Sequence, residues 1–378
     1  MTDTNELHLS DLTIQGFRGI DKLSIPRLGR VTLLAGMNSV GKTTVLDAVR
    51  VYAARGHYDA LKSLLEDHEE FTDANDEDGE SRLLPNLEAL FHGRNVSQNA
   101  WVSIGANDIE DRLTIMTTAL SDEQANYHDP MLDFVPAEAV KAVYGNNEQI
   151  LPWTFFLNDP STRIGLRPAT VRRALRRFNK EEPPPTINCE SLGPALLNND
   201  DLSRYWDNVA LTDDKDAALH ALRLTFDSGI DDAAMIGDHQ SGGRKVGRRA
   251  MVKLKGDSGP VPLKSLGDGA LRLFGIALAL ANSRNGFMLI DEAENGIHHS
   301  IQRDYWRMVL QTAHENNVQV LATTHSWDCV TGFAQAATEL EDIEGVLVRL
   351  SRSNGELRAI EYPEEELAIA AEQGIEVR

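Results

Sequence analysis

Two cysteines in 378 residues, Cys189 and Cys329, are too few for a disulfide framework or a four-thiolate zinc site. That scarcity predicts a reducing compartment, the cytoplasm. The longest apolar run, Leu273 to Ala281, has nine residues, whereas a membrane-spanning helix needs ~20. The opening Met-Thr-Asp-Thr-Asn-Glu has no basic stretch followed by an apolar one, so neither a signal peptide nor a membrane partner is expected. Cations are outnumbered 37 to 58, a net charge of −21, which excludes adhesion of the whole surface to nucleic acid and leaves only a local basic groove for that role. No internal repeat is found, and no heptad run is long enough for an extended coiled coil.

What is there is ordinary globular composition, 42% hydrophobic and 25% charged, enough for one large or two ordinary domains. From Gly56 to Glu80 ten acids face one Lys, which predicts a solvated loop without the spacing of a calcium loop. Two segments have the opposite sign. Arg163 to Lys180 carries seven basic residues and no acid, with Arg172, Arg173, Arg176 and Arg177 three and four apart on one helix side, and Arg244 to Lys255 carries six more, including Arg248 and Arg249. These are the candidate polyanion surfaces.

Short strands are expected at Leu7 to Ile14 and Lys22 to Ile25 around the turn Gly16-Phe17-Arg18-Gly19, then a buried strand Arg30 to Ala35 and a helix Lys42 to Ala54. Further on, the pattern predicts a strand at Ala250 to Lys255, a buried helix at Gly269 to Ala281, a strand at Phe287 to Ile290, a helix at His298 to Glu315 and a strand at Val318 to Ala322. Strands alternating with helices imply a largely parallel α/β sheet. Between Leu83 and Asp238 the pattern is weaker, with strands at Trp101 to Ile104 and Leu113 to Met116 and helices near Pro168 to Phe178, Asp201 to Asn208 and Asp214 to Thr225.

Gly36-Met37-Asn38-Ser39-Val40-Gly41-Lys42-Thr43 fits G-x-x-x-x-G-K-[ST] and lies between a buried strand and a helix start, the context a phosphate-binding loop requires. Its glycines let backbone N–H groups turn onto phosphates, Lys42 reaches the β- and γ-phosphates, and the Thr43 hydroxyl can ligate Mg²⁺. Phe287-Met288-Leu289-Ile290-Asp291-Glu292 ends a buried strand in two carboxylates. Such a pair is often only a strand meeting solvent, but beside a P-loop Asp291 is expected to hold Mg²⁺ through its water shell and Glu292 to orient and deprotonate the attacking water. Thr323-Thr324-His325-Ser326 follows the next buried strand and puts His325 on the sheet edge where α/β folds bind ligands, as a donor to the γ-phosphate. Ser265-Leu266-Gly267-Asp268-Gly269 opens the buried helix as a second anion site, surplus to the needs of one chain.

In this order the four pieces resemble the ATPase heads of the ABC superfamily, especially the stand-alone AAA ATPases related to the OLD family and to RecF and SMC heads. Gly16-Phe17-Arg18-Gly19-Ile20 is similar to that group's N-terminal Phe-Arg motif, in which the Arg lies near the nucleotide. The resemblance covers residues 7 to 55 and 250 to 350. It implies an α/β fold of the ABC-type P-loop ATPase head, with a mostly parallel sheet, an N-terminal antiparallel lobe and a mixed helical insertion. The halves of the head are expected at 1–55 and 245–378, with the inserted lobe at 56–244. ATP and Mg²⁺ are the implied cofactors. Arg18, Gly36, Asn38, Ser39, Gly41, Lys42, Thr43 and Thr44 would bind nucleotide, Thr43 and Asp291 the metal, and Lys42, Asp291, Glu292 and His325 would carry catalysis. In this family two heads sandwich ATP, so Ser265, Gly267 and Gly269 of one copy would complete the site of the other.

The signature departs from Leu-Ser-Gly-Gly-Gln, and Ala293-Glu294-Asn295-Gly296-Ile297-His298 replaces the usual loop after the catalytic Glu; both variants resemble the OLD-related branch. No glutamine-loop residue is assigned. The stretch after His325 is too short for the TOPRIM nuclease domain of OLD proteins, and the segment between the motif halves is too short for the coiled coil of SMC proteins, so an effector is expected to act in trans. The leading expectation is a Mg²⁺-dependent ATPase whose homodimerisation, or higher assembly, controls a separate effector such as a TOPRIM-type nuclease, as in bacterial antiphage systems. The alternative is a RecF-like DNA-binding head in repair or chromosome maintenance. A P-loop kinase or GTPase is disfavoured, because no guanine-reading Asn-Lys-x-Asp is present and kinases have no such signature.

Overall fold

Val31–Ala35 is buried at every position, which a strand sustains only where both faces of its sheet are covered. Phe287–Ile290 and Gln319–Thr324 have the same pattern. In the computed structural model these are β3, β14 and β15 of a six-stranded sheet with the order β10-β14-β15-β3-β16-β17. β10 (Cys189–Leu192), β16 (Gly345–Ser353) and β17 (Glu356–Tyr362) complete it. All pairs are parallel except β16 with β17. The structure describes residues 6–75, 81–96, 100–108, 111–119, 138–152, 179, 184–224, 229–237, 247–256, 259–340, 342–353 and 355–362.

Alternation along these strands divides two cores. Val31, Leu33, Met288, Ile290, Val320 and Ala322 point into one, while Leu34, Phe287, Leu289 and Leu321 point into the other. The first core is closed by α3 (Asn199–Val209), α4 (Asp214–Arg223), α5 (Asp268–Asn282), α6 (Gln302–Glu315) and α7 (Trp327–Glu339). The second holds α1 (Lys42–Ala53) and α2 (Tyr58–Asp67) between the parallel sheet and an antiparallel one. That antiparallel sheet has the order β2-β1-β6-β7-β8-β9, built from β1 (Leu12–Phe17), β2 (Ile20–Ile25), β6 (Trp101–Gly105), β7 (Arg112–Ala119), β8 (Glu138–Tyr144) and β9 (Asn147–Pro152). A hairpin of β4 (Phe71–Asn75) and β5 (Ser81–Pro85) and a small sheet of β11 (Ile230–Ile236), β12 (Arg249–Leu254) and β13 (Val261–Pro262) are peripheral. The fold is thus the expected α/β head with a mostly parallel sheet and an antiparallel lobe. Residues between 56 and 244 supply strands to both large sheets.

The stretch from Gly56 to Glu80 is not the expected solvated loop. Its described part forms α2 and β4, because Tyr58, Leu61, Leu64 and Leu65 recur at helical spacing and are buried, so Asp59, Glu66 and Asp67 occupy the outer face of an amphipathic helix. The helix expected near Pro168 to Phe178 and the basic residues Arg163 to Arg177, Lys180 and Arg244 lie outside the described residues. Within the second basic segment, Arg248 makes a bidentate pair with Asp207 of α3, one arm at 2.8 Å, and Lys253 pairs with Asp231 at 2.9 Å. Those two charges are engaged within the protein rather than gathered into a basic patch.

Candidate functional site

Strand register brings three loops to one edge. Thr324 of β15 pairs with Ala35 of β3, and Ile290 of β14 pairs with Ala322 of β15. The P-loop, the Asp291-Glu292 pair and His325 therefore leave the sheet side by side at its carboxyl end, where open α/β sheets bind ligands.

The P-loop's shape depends on its glycines. Gly36 has φ +153°, and a Cβ there would stand 2.6 Å from the Leu350 carbonyl oxygen; Gly41 has φ +116°. Asn38 and Ser39 are exposed at the bend, Ser39 in the left-handed region at φ +60°. Lys42 opens α1 and is buried, and its Nζ donates to the carbonyls of Gly36 at 2.7 Å and Met37 at 3.0 Å, within the loop it closes. Burial lowers the pKa of this ammonium, and Glu294, Asp291 and Glu292 oppose the shift. Thr44 is half-buried on the first turn of α1.

Thr43 and Asp291 meet: the Thr43 hydroxyl donates to Asp291 Oδ2 at 3.0 Å. The other carboxylate oxygen accepts from the Thr323 hydroxyl, which itself accepts from the Glu292 N–H at 2.9 Å. Glu292 has φ +48°, a strained conformation for a residue with a side chain, and its Oε2 accepts from Asn295 Nδ2 at 3.3 Å. One hydroxyl and one carboxylate are hard oxygen donors suited to Mg²⁺, which takes most of its remaining shell from water and substrate phosphates. Among the described residues no group of three or more His, Cys, Asp or Glu is placed to hold a metal alone, so this donor set fits a metal that arrives with a nucleotide.

His325 is exposed, and its Nδ1 lies 2.9 Å from Glu294 Oε1. The Arg18 guanidinium faces Asp47 of α1, one turn beyond Thr43, at 3.9 Å and Glu70 at 3.6 Å. Ser265 and Gly267 stand exposed at the start of α5, Gly267 at φ +106°, and no hydrogen bond joins them to the P-loop cluster among the described residues. Gly269 lies so close to the turn after β14 that a Cβ would come within 2.5 Å of the Gly296 carbonyl oxygen. Burial raises both thiols, Cys189 and Cys329, to about 12, so neither is a thiolate at neutral pH.

Three further residues shape the site. Thr323 bridges the acidic pair, and its signal was its place opposite Asp291 once β14 and β15 are paired. Glu294, three residues past Asp291, holds His325. Arg272, immediately before the apolar run of α5, is buried and donates to the carbonyls of Gly193 at 2.6 Å, Ala195 at 3.0 Å and Asp291 at 3.1 Å, tying the helix behind the signature to the end of β14.

Residues 171–328 match a family described as "AAA domain, putative AbiEii toxin, Type IV TA system", and residues 7–80 match one described as "Protein of unknown function (DUF2813)". The uncharacterized protein MJECL11 of Methanocaldococcus jannaschii is 35% identical over 92 residues, which is 24% of this chain and 80% of that protein. Among solved structures, the SMC head domain from Thermotoga maritima aligns with a TM-score of 0.42 at 13% identity, covering 94% of this chain and 100% of that one. The Smc head domain with an extended coiled coil bound to the C-terminal domain of ScpA, derived from Pyrococcus furiosus, gives 0.44 at 12% identity, with 97% and 99% covered.

Proposed function

The chain belongs to the ABC/AAA-like ATPases, and from that premise we propose that it hydrolyses Mg²⁺-ATP between two copies of itself and uses the cycle to control a separate effector in a defence role. The observation that carries the chemistry is the direct contact between Thr43 and Asp291 at the carboxyl edge of the sheet, with Lys42 and Glu292 beside it. The description of the family matched by residues 171–328 as an AbiEii-type toxin–antitoxin domain supports the defence assignment.

In this reading the P-loop N–H groups and Lys42 bind the phosphates, and Lys42 exchanges a loop carbonyl for a phosphate oxygen. Thr43 and Asp291 would hold a Mg²⁺ brought by the nucleotide, and the metal would supply charge neutralisation at the transferred phosphoryl group. Glu292 orients a water in line with the γ-phosphate and takes its proton. His325 donates to the γ-phosphate. Ser265 and Gly267, exposed and without a hydrogen bond to their own P-loop cluster among the described residues, cap the nucleotide on the partner copy together with Gly269. Arg18 steadies α1 through Asp47 and reaches the nucleotide only if that pair opens.

Glu292→Gln tests the reading. The variant is expected to bind ATP, to accumulate as a dimer by light scattering and to turn over at least about a hundredfold more slowly. Turnover at the wild-type rate would remove Glu292 as the base, and a monomer at saturating Mg²⁺-ATP would remove the sandwich.

A further inference from the structure

One neighbour grips Glu292 at two points. The backbone N–H of Asn295 donates to the Glu292 carbonyl at 3.0 Å, closing the turn after β14, and the Asn295 side chain donates from Nδ2 to Glu292 Oε2 at 3.3 Å. The same Nδ2 donates to the Pro194 carbonyl at 3.2 Å. A carbonyl and a carboxylate accept hydrogen bonds and do not donate them, so the two together select the amide nitrogen, with its two hydrogens, for this side of Asn295. The Pro194 end is fixed in turn. Arg272, buried in α5, donates to the carbonyls on either side of it, Gly193 at 2.6 Å and Ala195 at 3.0 Å, and also to Asp291 at 3.1 Å. Three successive carbonyls of the loop after β10 are thus engaged, and that loop offers the site backbone oxygens only, because Gly193, Pro194 and Ala195 have no polar side chain.

We propose that Asn295 is a positioning residue for the base: it holds Glu292 Oε2 against the loop after β10 and leaves Oε1 to take the proton of the attacking water. The proposal rests on the ATPase reading above. Glu292 stands where a strand has ended, half-buried and with its backbone at φ +48°. Thr323 fixes its N–H and the Asn295 N–H fixes its carbonyl, so the start of the side chain is set. Neither bond restrains rotation further out. Among the described residues the one hydrogen bond to the carboxylate itself comes from the Asn295 amide, and that amide is steadied by Pro194, whose loop Arg272 clamps. A neutral amide also orients the carboxylate without placing a further charge beside the phosphates. Asn295 touches no reacting atom in this scheme and acts entirely through Glu292.

Substitutions at 295, with kcat and KM read separately, test it. Asn295→Ala keeps the backbone N–H and with it the turn, and is expected to lower kcat about tenfold at an unchanged KM for Mg²⁺-ATP. Asn295→Asp keeps the shape but sets a second carboxylate against Oε2, and should be slower still. Asn295→Gln, which has room because the side chain is exposed, carries the amide one bond further out and should recover part of the loss. In a Glu292→Gln background, Asn295→Ala should slow turnover no further. Wild-type kcat in Asn295→Ala, a raised KM at wild-type kcat, Asn295→Asp as fast as the wild type, or the full loss repeated in the Glu292→Gln background would each overturn the proposal. A crystal structure of Asn295→Ala reads the placement without turnover: the Glu292 carboxylate is expected to leave its position, and a carboxylate that stays would overturn the proposal. A wild-type protein that turns over no Mg²⁺-ATP, or Glu292→Gln at the wild-type rate, would instead overturn the ATPase reading, and the crystal structure would then decide whether Asn295 holds Glu292.

Discussion

The hydroxyl of Thr323 serves two neighbours at once, donating to Asp291 and accepting from the Glu292 N–H, and it does so from a side chain with no exposed surface. It therefore sets the aim of the carboxylate read as the metal ligand and holds the strained backbone of the residue read as the base. Thr323→Val keeps the volume and removes both bonds. It is expected to raise the Mg²⁺ concentration for half-maximal turnover about tenfold, with Thr323→Ser restoring most of the loss; a Mg²⁺ titration of the two variants checks this, and an unchanged half-point in Thr323→Val would refute it. The sequence made Lys42, Asp291 and His325 legible because each stands inside a local pattern whose spacing carries the chemistry. Thr323 and Glu294 stand inside motifs, but nothing in the spacing assigns them a partner, and Arg272 stands in no motif at all. Their roles depend on which strand lies beside β14 and on how the turn after it folds back, and those relations are set by pairing between residues far apart in the chain.

α5 joins the signature to the P-loop side of the same chain through two short contacts. At its start Gly269 abuts the Gly296 carbonyl, and one turn on Arg272 grips the end of β14 and the loop after β10. A methyl group at 269 has no room, so either the helix start or the turn 292–297 must shift. Gly269→Ala is expected to lose roughly 1–3 kcal/mol of stability, read from the urea midpoint, and to slow turnover while ATP binding at the P-loop is retained; a variant as stable and as fast as the wild type would show that the two segments are not coupled. Elements such as β3, β14 and α5 were readable because their apolar runs are long and bulky. α7 was not read: much of its buried face is Ala334, Ala336, Ala337 and Gly332, which weigh little in a hydrophobic pattern yet allow close packing. β8 and β9 escaped for a related reason, since small and polar residues such as Ala142 and Gln149 fill their inward positions.

For the whole molecule the proposed sandwich makes a prediction that no single site can fulfil. Lys42→Ala removes the phosphate contact of one copy and Ser265→Arg blocks the cap given to the other, so each variant alone should be inactive. A mixed dimer retains one intact P-loop opposite one intact signature, and random pairing of equal amounts should restore roughly a quarter of wild-type turnover. No recovery in a mixture shown by mass spectrometry to contain heterodimers would exclude completion in trans. The sheet order carries a consequence of another kind, in time. β3, the strand that leads into the P-loop, is bordered on one side by β15 and on the other by β16. At a synthesis rate of about 5–20 residues per second, roughly 15 to 65 s pass between the making of Ala35 and of Ser353. For most of that interval the nascent chain contains every P-loop residue, but neither neighbour of their leading strand has been made, and the acidic pair and His325 follow only shortly before β16 is complete. A partly synthesised chain thus has no assembled site with which to consume ATP or signal to an effector, and the same open edges make that period the one in which the chain is most exposed to wrong pairing.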